Sequence, residues 1–444
     1  MSTSGQNALT VTLREAPPVA QLETQWRQLE AHADASFFTT WSWIGCWLDG
    51  LEPHHHVQLL HATRGGQTVG LGLLIAHDGK RLKLLPSRGI YLHATGDTAQ
   101  DELAVEHNGL LLHRDAAEEI EQAMYAHLMA LSQPWDRLEL PGLSRQQALD
   151  NLARKHNSVV REESRPSYYV DLEAVRQRGS NYLGMLSAST RSQIRRSLKA
   201  YGELGSVTLT EAQDLDTALH YLDQLEVLHQ RHWLARGKPG AFANPVFNEF
   251  HQRQITDGFA HGHVQLLRVQ AGSHDIGYLY NFVHRGQVLF YQSGFDYALI
   301  AKHGRPGLVA HALGIQHNAQ LGHTAYDFLA GDTRYKHSLS SGVVPMAWVT
   351  VHRDTWSFRL EDRLRRIKRQ LMSRTMPSAE DTKQRRDSEI LHPYPLVAAG
   401  VLAIMQAITP ANMTEVLRTA VVEDSNDDLR ELMYARRPEL LLGY

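Results

Sequence analysis

Two segments of this chain repeat one another, and the repeat limits the fold more than any other feature. Residues 56–82 read HVQLLHATRGGQTVGLGLLIAHDGKRL, and residues 263–289 read HVQLLRVQAGSHDIGYLYNFVHRGQVL. The offset is 207 throughout, without a gap, and 10 of 27 positions are identical. Alternating leucines alone could recur by convergence on a strand pattern. The glycines could not: Gly65/Gly272, Gly70/Gly277 and Gly79/Gly286 keep register as well. Similarity at one fixed offset is the mark of a duplicated unit.

Each copy reads as a three-strand meander. In the second, His263–Gln270, Ile276–His284 and Gln287–Ser293 are strands, joined by a turn at Ala271–Asp275 and a tight hairpin at Arg285-Gly286. Their aromatic and branched residues suit a half-buried sheet. A helix over Gly307 to Leu321 follows, then a strand Ala325–Leu329, a short helix Arg334–Leu339 and a last strand Val343–His352. The first copy repeats this order with a helix Asp115–Leu131 and a strand Arg137–Leu140, so that Trp135-Asp136 is set level with Tyr326-Asp327. Ahead of the meanders lie a strand Leu9–Arg14 with helices Val19–Ala33 and Trp41–Leu51, and a helix Ser187–Tyr201, a strand Val207–Thr210 and a helix Asp214–Ala235. The expected fold class is α+β: tandem duplicated domains over residues 8–172 and 173–353. Each has a mixed, mostly antiparallel sheet flanked by helices. A helical C-terminal extension, 354–444, follows.

Composition excludes several functions. With 45 Lys+Arg against 48 Asp+Glu, the net charge of −3 gives no field for bulk nucleic-acid binding. The single cysteine, Cys46, excludes an internal disulfide framework and cysteine-based zinc fingers. No signal peptide is read at the start, and the apolar run Leu396–Ile408 is too short to span a bilayer, so a cytoplasmic protein is expected. The 26 histidines include His54-His55-His56, but no HExxH occurs and no metal is expected.

Several motifs of the second copy carry a family resemblance: Arg191-Ser-Gln-Ile-Arg-Arg, Leu228-His229 with Trp233, Tyr291-Gln-Ser-Gly-Phe-Asp296, Arg305-Pro-Gly307 and Tyr326-Asp-Phe-Leu-Ala-Gly-Asp-Thr-Arg-Tyr-Lys336. Together with the strand order they resemble the GNAT acyltransferases. In particular they resemble the CelD-like acetyltransferases associated with cellulose biosynthesis, relatives of FemAB-type peptidoglycan transferases. The resemblance is strong over 170–350, weak over the first domain and absent from the last 90 residues. It implies a GNAT-like fold for both domains and acetyl-CoA as acyl donor.

The residues themselves support that chemistry. A helix N-terminus offers free N–H groups and the positive end of a dipole to a pyrophosphate. Lys302, His303, Gly304, Arg305, Pro306 and Gly307 lead straight into such a helix, although the loop departs from the usual Arg/Gln-x-x-Gly-x-Gly/Ala. The corresponding first-domain helix opens with Asp115, Glu118 and Glu119, which would repel the anion, so the second domain is expected to bind the donor. By the resemblance Tyr335 stands where many GNAT enzymes place an acid for the departing thiolate. Asp327 and Asp332 are nearby carboxylates. Burial would raise the Asp327 pKa and suit it to act as a base, while Asp332 is equally placed to cap the next helix. His229 and Trp233, four apart on one helix, are expected to share a face. In the family that face borders the acceptor cleft, and Tyr291 and Gln292 are grouped with them as substrate contacts. The acceptor is expected to be an amine or hydroxyl on a sugar, polysaccharide precursor or related small molecule. Two other readings remain open: a FemAB-like aminoacyl-tRNA-dependent transferase, and a non-catalytic scaffold in an envelope-polysaccharide machine. The first would carry a helical tRNA-binding insertion, which residues 173–353 lack. A basic amphipathic helix over 359–374 could meet the protein body, a partner or an anionic membrane. The sequence leaves the oligomeric state open.

Overall fold

A computed structural model describes residues 8–81, 85–144 and 147–375. The expected packed segment at 396–421 lies outside these. The first half contributes strands β1 (Leu9–Glu15), β2 (Val57–Arg64), β3 (Gln67–Arg81), β4 (Leu85–Leu92), β5 (Leu111–Leu112), β6 (Arg137–Leu143), β7 (Ser158–Ser164) and β8 (Ser167–Asp171). The second contributes β9 (Val207–Glu211), β10 (Val264–Ala271), β11 (His274–His284), β12 (Gln287–Phe295), β13 (Ala325–Ala330), β14 (Gly342–Val344) and β15 (Ala347–Arg353).

The duplication is written into the pairing. Leu60 faces Gly72 and Leu267 faces Leu279; Ala62 faces Gly70 and Val269 faces Gly277. A bulge falls at Ala62/Thr63 and again at Val269/Gln270. All of these are related by the same offset of 207 found in the sequence. The turn glycines agree too, with φ of 57° at Gly65 and 58° at Gly272, a left-handed conformation that glycine adopts without steric cost. The gapless alignment ends at the next hairpin. β3 runs on to Arg81, whereas β11 stops at His284. As a result Glu139, and not Asp136, is level with Asp327: the parallel pairs are Tyr91↔Glu139 and Leu289↔Asp327.

Two sheets result, ordered β1-β2-β3-β4-β6-β15-β7 and β9-β10-β11-β12-β13-β8-β14, with β5 beside β3. Position for position they correspond, but the sixth strands are exchanged. β8, from the first half, inserts between β13 and β14; β15, from the end of the second half, inserts beside β6. The single strand expected over Val343–His352 is therefore two. Pro345, which has no N–H to donate, stands at the break where the chain leaves one sheet for the other.

A core of aromatic residues joins the two halves, with Phe37 stacked on Phe282 at 4.4 Å and Trp43 against Phe250 at 4.8 Å. Phe250 lies on a helix absent from the sequence reading, Pro245–Gly258, capped by Asn244 through the Val246 N–H at 3.0 Å. The helices expected on either side of 207–210 form at Ala188–Gly202 and Leu215–Leu234, capped by Ser187 and Asp214. Among the described residues, 78–81, 85–87 and 353–375 belong to a separate compact unit. In it the helix Trp356–Thr375 begins, Arg81 meets Glu361 at 3.3 Å and its guanidinium lies over Phe358. Among the described residues no helix is long and apolar enough to cross a membrane, and no group of side chains could hold a metal ion.

Candidate active site

β12 and β13 run parallel, and they pair only over Gln287–Leu289 and Ala325–Asp327. Beyond that they part, leaving a wedge at their carboxyl ends. β12 is also bulged there: Gln292 faces Tyr280 and Phe290 faces Asn281, so Tyr291 has no opposite residue. The helix Pro306–Gln320 starts at this same end of the strands, because it follows β12 and precedes β13. Its first turn has Pro306 at the start and no acidic residue. The preceding loop is held in shape from two sides. The Ser197 hydroxyl donates to the His303 carbonyl at 2.6 Å, and His303 is left-handed at φ 67°. Gly304 lies so near the Ile300 carbonyl that a Cβ would stand 2.3 Å from its oxygen. Lys302, His303 and Arg305 are exposed, while Pro306 and Gly307 are buried. The helix Ala117–Met129 of the first half instead carries Glu118 and Glu119 in its first turn, as its sequence requires.

The ring of His311, on the helix Pro306–Gln320, stands over the wedge. It packs edge-on to Phe290 of β12 at 4.5 Å and Phe328 of β13 at 5.3 Å, and stacks with Tyr335 at 5.8 Å. Burial lowers the His311 pKa to about 3. The Tyr335 hydroxyl is buried, and desolvation holds its pKa well above the ordinary phenol value, so it stays protonated.

Asp327 is enclosed by partners. The Ser167 hydroxyl of β8 donates to it, as does the Leu329 N–H at 2.7 Å, and His107 Nε2 lies 3.0 Å away. Burial pushes its pKa up, as the sequence reading holds, but the His107 charge and these hydrogen bonds outweigh burial and hold it below the usual carboxylate range. The expectation of a raised value is thereby corrected. Asp332 is exposed, hydrogen-bonded to His337 and, at 3.2 Å, to the Tyr168 hydroxyl; its contact with His337 lowers its pKa. It does not cap the next helix, whose N-cap residue is Thr333.

His229 and Trp233 do share a face, and it is a buried one. Trp233 Nε1 donates to His229 Nε2 at 2.9 Å, and Phe242 packs on the imidazole at 5.2 Å. Desolvation lowers the His229 pKa to about 4. Tyr291 is buried and its hydroxyl donates to the Leu103 carbonyl of the first half at 2.5 Å. Gln292 is fully buried, accepting the Ser293 N–H at 3.0 Å. Tyr335 thus reaches Phe290 of β12 and Phe328 of β13 through the His311 ring, Asp327 stands at the last β12–β13 pair, and His229 and Trp233 are packed in the interior.

Two residues absent from the sequence reading reach this place from the first half. Glu106 accepts the Ala330 N–H at the end of β13, and His107 bonds Asp327. Lys336, fully buried, donates to the carbonyls of Leu329 (3.0 Å) and Ala330. These contacts hold Leu329 left-handed at φ 60°, an uncommon state for a branched side chain. The polar triplet Glu106-His107-Asn108 is the only trace of this in the sequence, and it lies in a segment without periodicity.

Against the family models, residues 188–337 match the acetyltransferase (GNAT) domain. This segment, about a third of the chain, is similar to a GNAT acetyltransferase domain. The match spans the helix Ala188–Gly202, the meander, the wedge and the helix Pro306–Gln320. No curated protein matches the sequence. Among solved structures, FemX is similar at 10% identity over 76% of this chain and 96% of its own, with a TM-score of 0.45. L-PGS from Bacillus licheniformis is similar at 11% identity over 82% of this chain and 99% of its own, also at 0.45. A tandem GNAT protein from the clavulanic acid biosynthesis pathway gives 12%, 77%, 98% and 0.40 in the same terms.

Proposed function

We propose that this chain transfers an acyl group, acetyl in the first instance, from acyl-CoA to an amine or hydroxyl of a saccharide or related small acceptor. The observation that carries the reading is the wedge between β12 and β13, opening beside an acid-free helix N-terminus within the segment that matches the GNAT domain. The pyrophosphate sits on the first-turn N–H groups of the helix Pro306–Gln320, with Lys302 and Arg305 adding charge. The pantetheine arm runs into the wedge, and the thioester carbonyl takes a backbone N–H of the bulged stretch of β12, an oxyanion donor fixed before reaction. The acceptor attacks directly, so positioning supplies most of the rate. Tyr335 protonates the departing thiolate.

Titration calorimetry with acetyl-CoA, longer acyl-CoAs and free CoA tests this. Arg305→Glu is expected to weaken binding by about tenfold or more, since it sets a carboxylate at the pyrophosphate site. Arg114→Glu, at the first-half helix, is expected to leave binding unchanged. No affinity for any CoA species, or binding of aminoacyl-tRNA in its place, overturns the reading.

A further inference from the structure

The acid–base set of this reaction lacks a base. Asp327, the carboxylate that the sequence favours, is bonded to a hydroxyl, a backbone N–H and an imidazole, and its pKa is held down. A second carboxylate reaches the same end of β13 and arrives from the other half of the molecule. Glu106 is only 2% exposed and touches Ala330, three residues past the last β12–β13 pair. Near enough for their electrostatics to act on one another are the Lys336 ammonium, His107, Asp327 and the phenols of Tyr291 and Tyr335. It is held with care. Ala104 and His107, on either side, are left-handed at φ 38° and 45°. Asn108 then anchors the segment, its N–H to the Gly142 carbonyl at 2.8 Å and its side chain to His93 at 2.7 Å and to the Leu92 carbonyl at 3.2 Å. Non-glycine residues in this sparsely populated region persist where the surroundings over-determine them, often at working sites.

We propose that Glu106, supplied by the first half, is the general base of the reaction carried out in the second. This rests on the acyl-CoA reading above. The acceptor's lone pair forms the new bond to the acyl carbon, and the C–S bond breaks with its electrons on sulfur. The acceptor's proton passes to the Glu106 carboxylate. Tyr335 protonates the thiolate, and proton exchange with water returns Glu106 and Tyr335 to their starting states. Burial raises the Glu106 pKa above the ordinary carboxylate range, against the pull of Lys336, the Ala330 N–H and His107. The carboxylate therefore becomes a stronger base while staying ionised near neutral pH.

Glu106→Gln tests the proposal, because the amide oxygen can still accept the Ala330 N–H while the side chain can take no proton. Three measurements are made on the full chain: acetyl-CoA affinity by calorimetry, thermal unfolding, and release of free CoA thiol across a panel of amines and amino sugars, with water as the acceptor if none reacts. The expected result is unchanged affinity, turnover lower by about 10²–10⁴-fold, and loss of the acidic limb of the parent pH–rate profile. Parent turnover with that limb intact overturns the proposal. If Glu106→Gln does not fold, Glu106→Asp decides: a displaced limb with intact affinity supports the base, and an unmoved limb overturns it. Failure of the parent to bind CoA would strike the acyl-CoA reading, a separate outcome.

Discussion

Glu139 in the first sheet and Asp327 in the second hold the same position, yet they titrate in opposite directions. Each is on the strand that pairs in parallel with the last strand of the meander. Each accepts a hydroxyl from the exchanged strand, Glu139 from Thr350 on β15 at 2.7 Å and Asp327 from Ser167 on β8. Burial raises the pKa of Glu139, with Thr350 and Arg137 opposing it. Asp327 is more deeply enclosed, its side chain 9% exposed against 26% for Glu139, but His107 is added and its pKa falls. The shared part is therefore a structural clasp on the exchanged strand. What sets the second half apart is a dipeptide, Glu106-His107, reaching in from the first.

The largest test of this comparison is to divide the chain. Residues 8–172 and 173–353 expressed separately are expected not to give cooperative unfolding by calorimetry, since each sheet then lacks its sixth strand. Co-expression should restore one cooperative transition. Two well-folded fragments would show that the exchange is dispensable.

A smaller effect is expected from His107→Asn. Removing one partner of a buried ion pair costs about 3–5 kcal/mol, and the exposure of the imidazole edge places this pair at or below the low end. Burial lowers the His107 pKa, but Asp327 and Glu106 outweigh it and the net value is raised. A raised histidine pKa gives stability present below its ordinary value and lost as pH rises through the folded one. A depressed aspartate pKa gives stability present above its ordinary value and lost as pH falls through the folded one. The loss in His107→Asn should accordingly be greatest between the ordinary aspartate and histidine values and shrink on either side, as read by urea unfolding across pH. A pH-independent loss would mean that packing, not charge, makes the contact.

The smallest change belongs to Glu139→Gln. A raised carboxylate pKa means that ionisation weakens the folded state as pH rises, so a neutral amide that still accepts the Thr350 hydroxyl is expected to cost under about 1 kcal/mol at pH 7. A loss matching that of His107→Asn would erase the distinction between the two carboxylates.

The repeat was legible because glycines and strand periodicity are local signals, and the pairing register followed them residue for residue as far as the second hairpin. The helix start at Pro306 was legible for the same reason. The strand exchange was not. Ser167–Asp171 and Ala347–Arg353 are short strands, and each sheet presents the same open edge beside β6 or β13, so no local pattern says which edge a strand will take. Glu106 and His107 were hidden for a different reason: residues 93–110 follow no period, and the partners that give these side chains meaning lie over 200 positions away. The helix Pro245–Gly258 has a visible signal in the sequence, Asn244 as N-cap followed by Pro245 in the first turn.

The exchanged strands also bear on how the chain is made. A ribosome delivers the first half long before β15, so the first sheet must wait with its β6 edge unpaired while almost the whole second half is synthesised. Domains normally fold as units in order of emergence; here the earlier unit is completed last, by a seven-residue strand ending at Arg353. Contacts of such sequence separation form slowly, and unpaired edges invite association with other chains. Nascent chains stalled before residue 347 should therefore engage chaperones far more than those stalled well beyond residue 353.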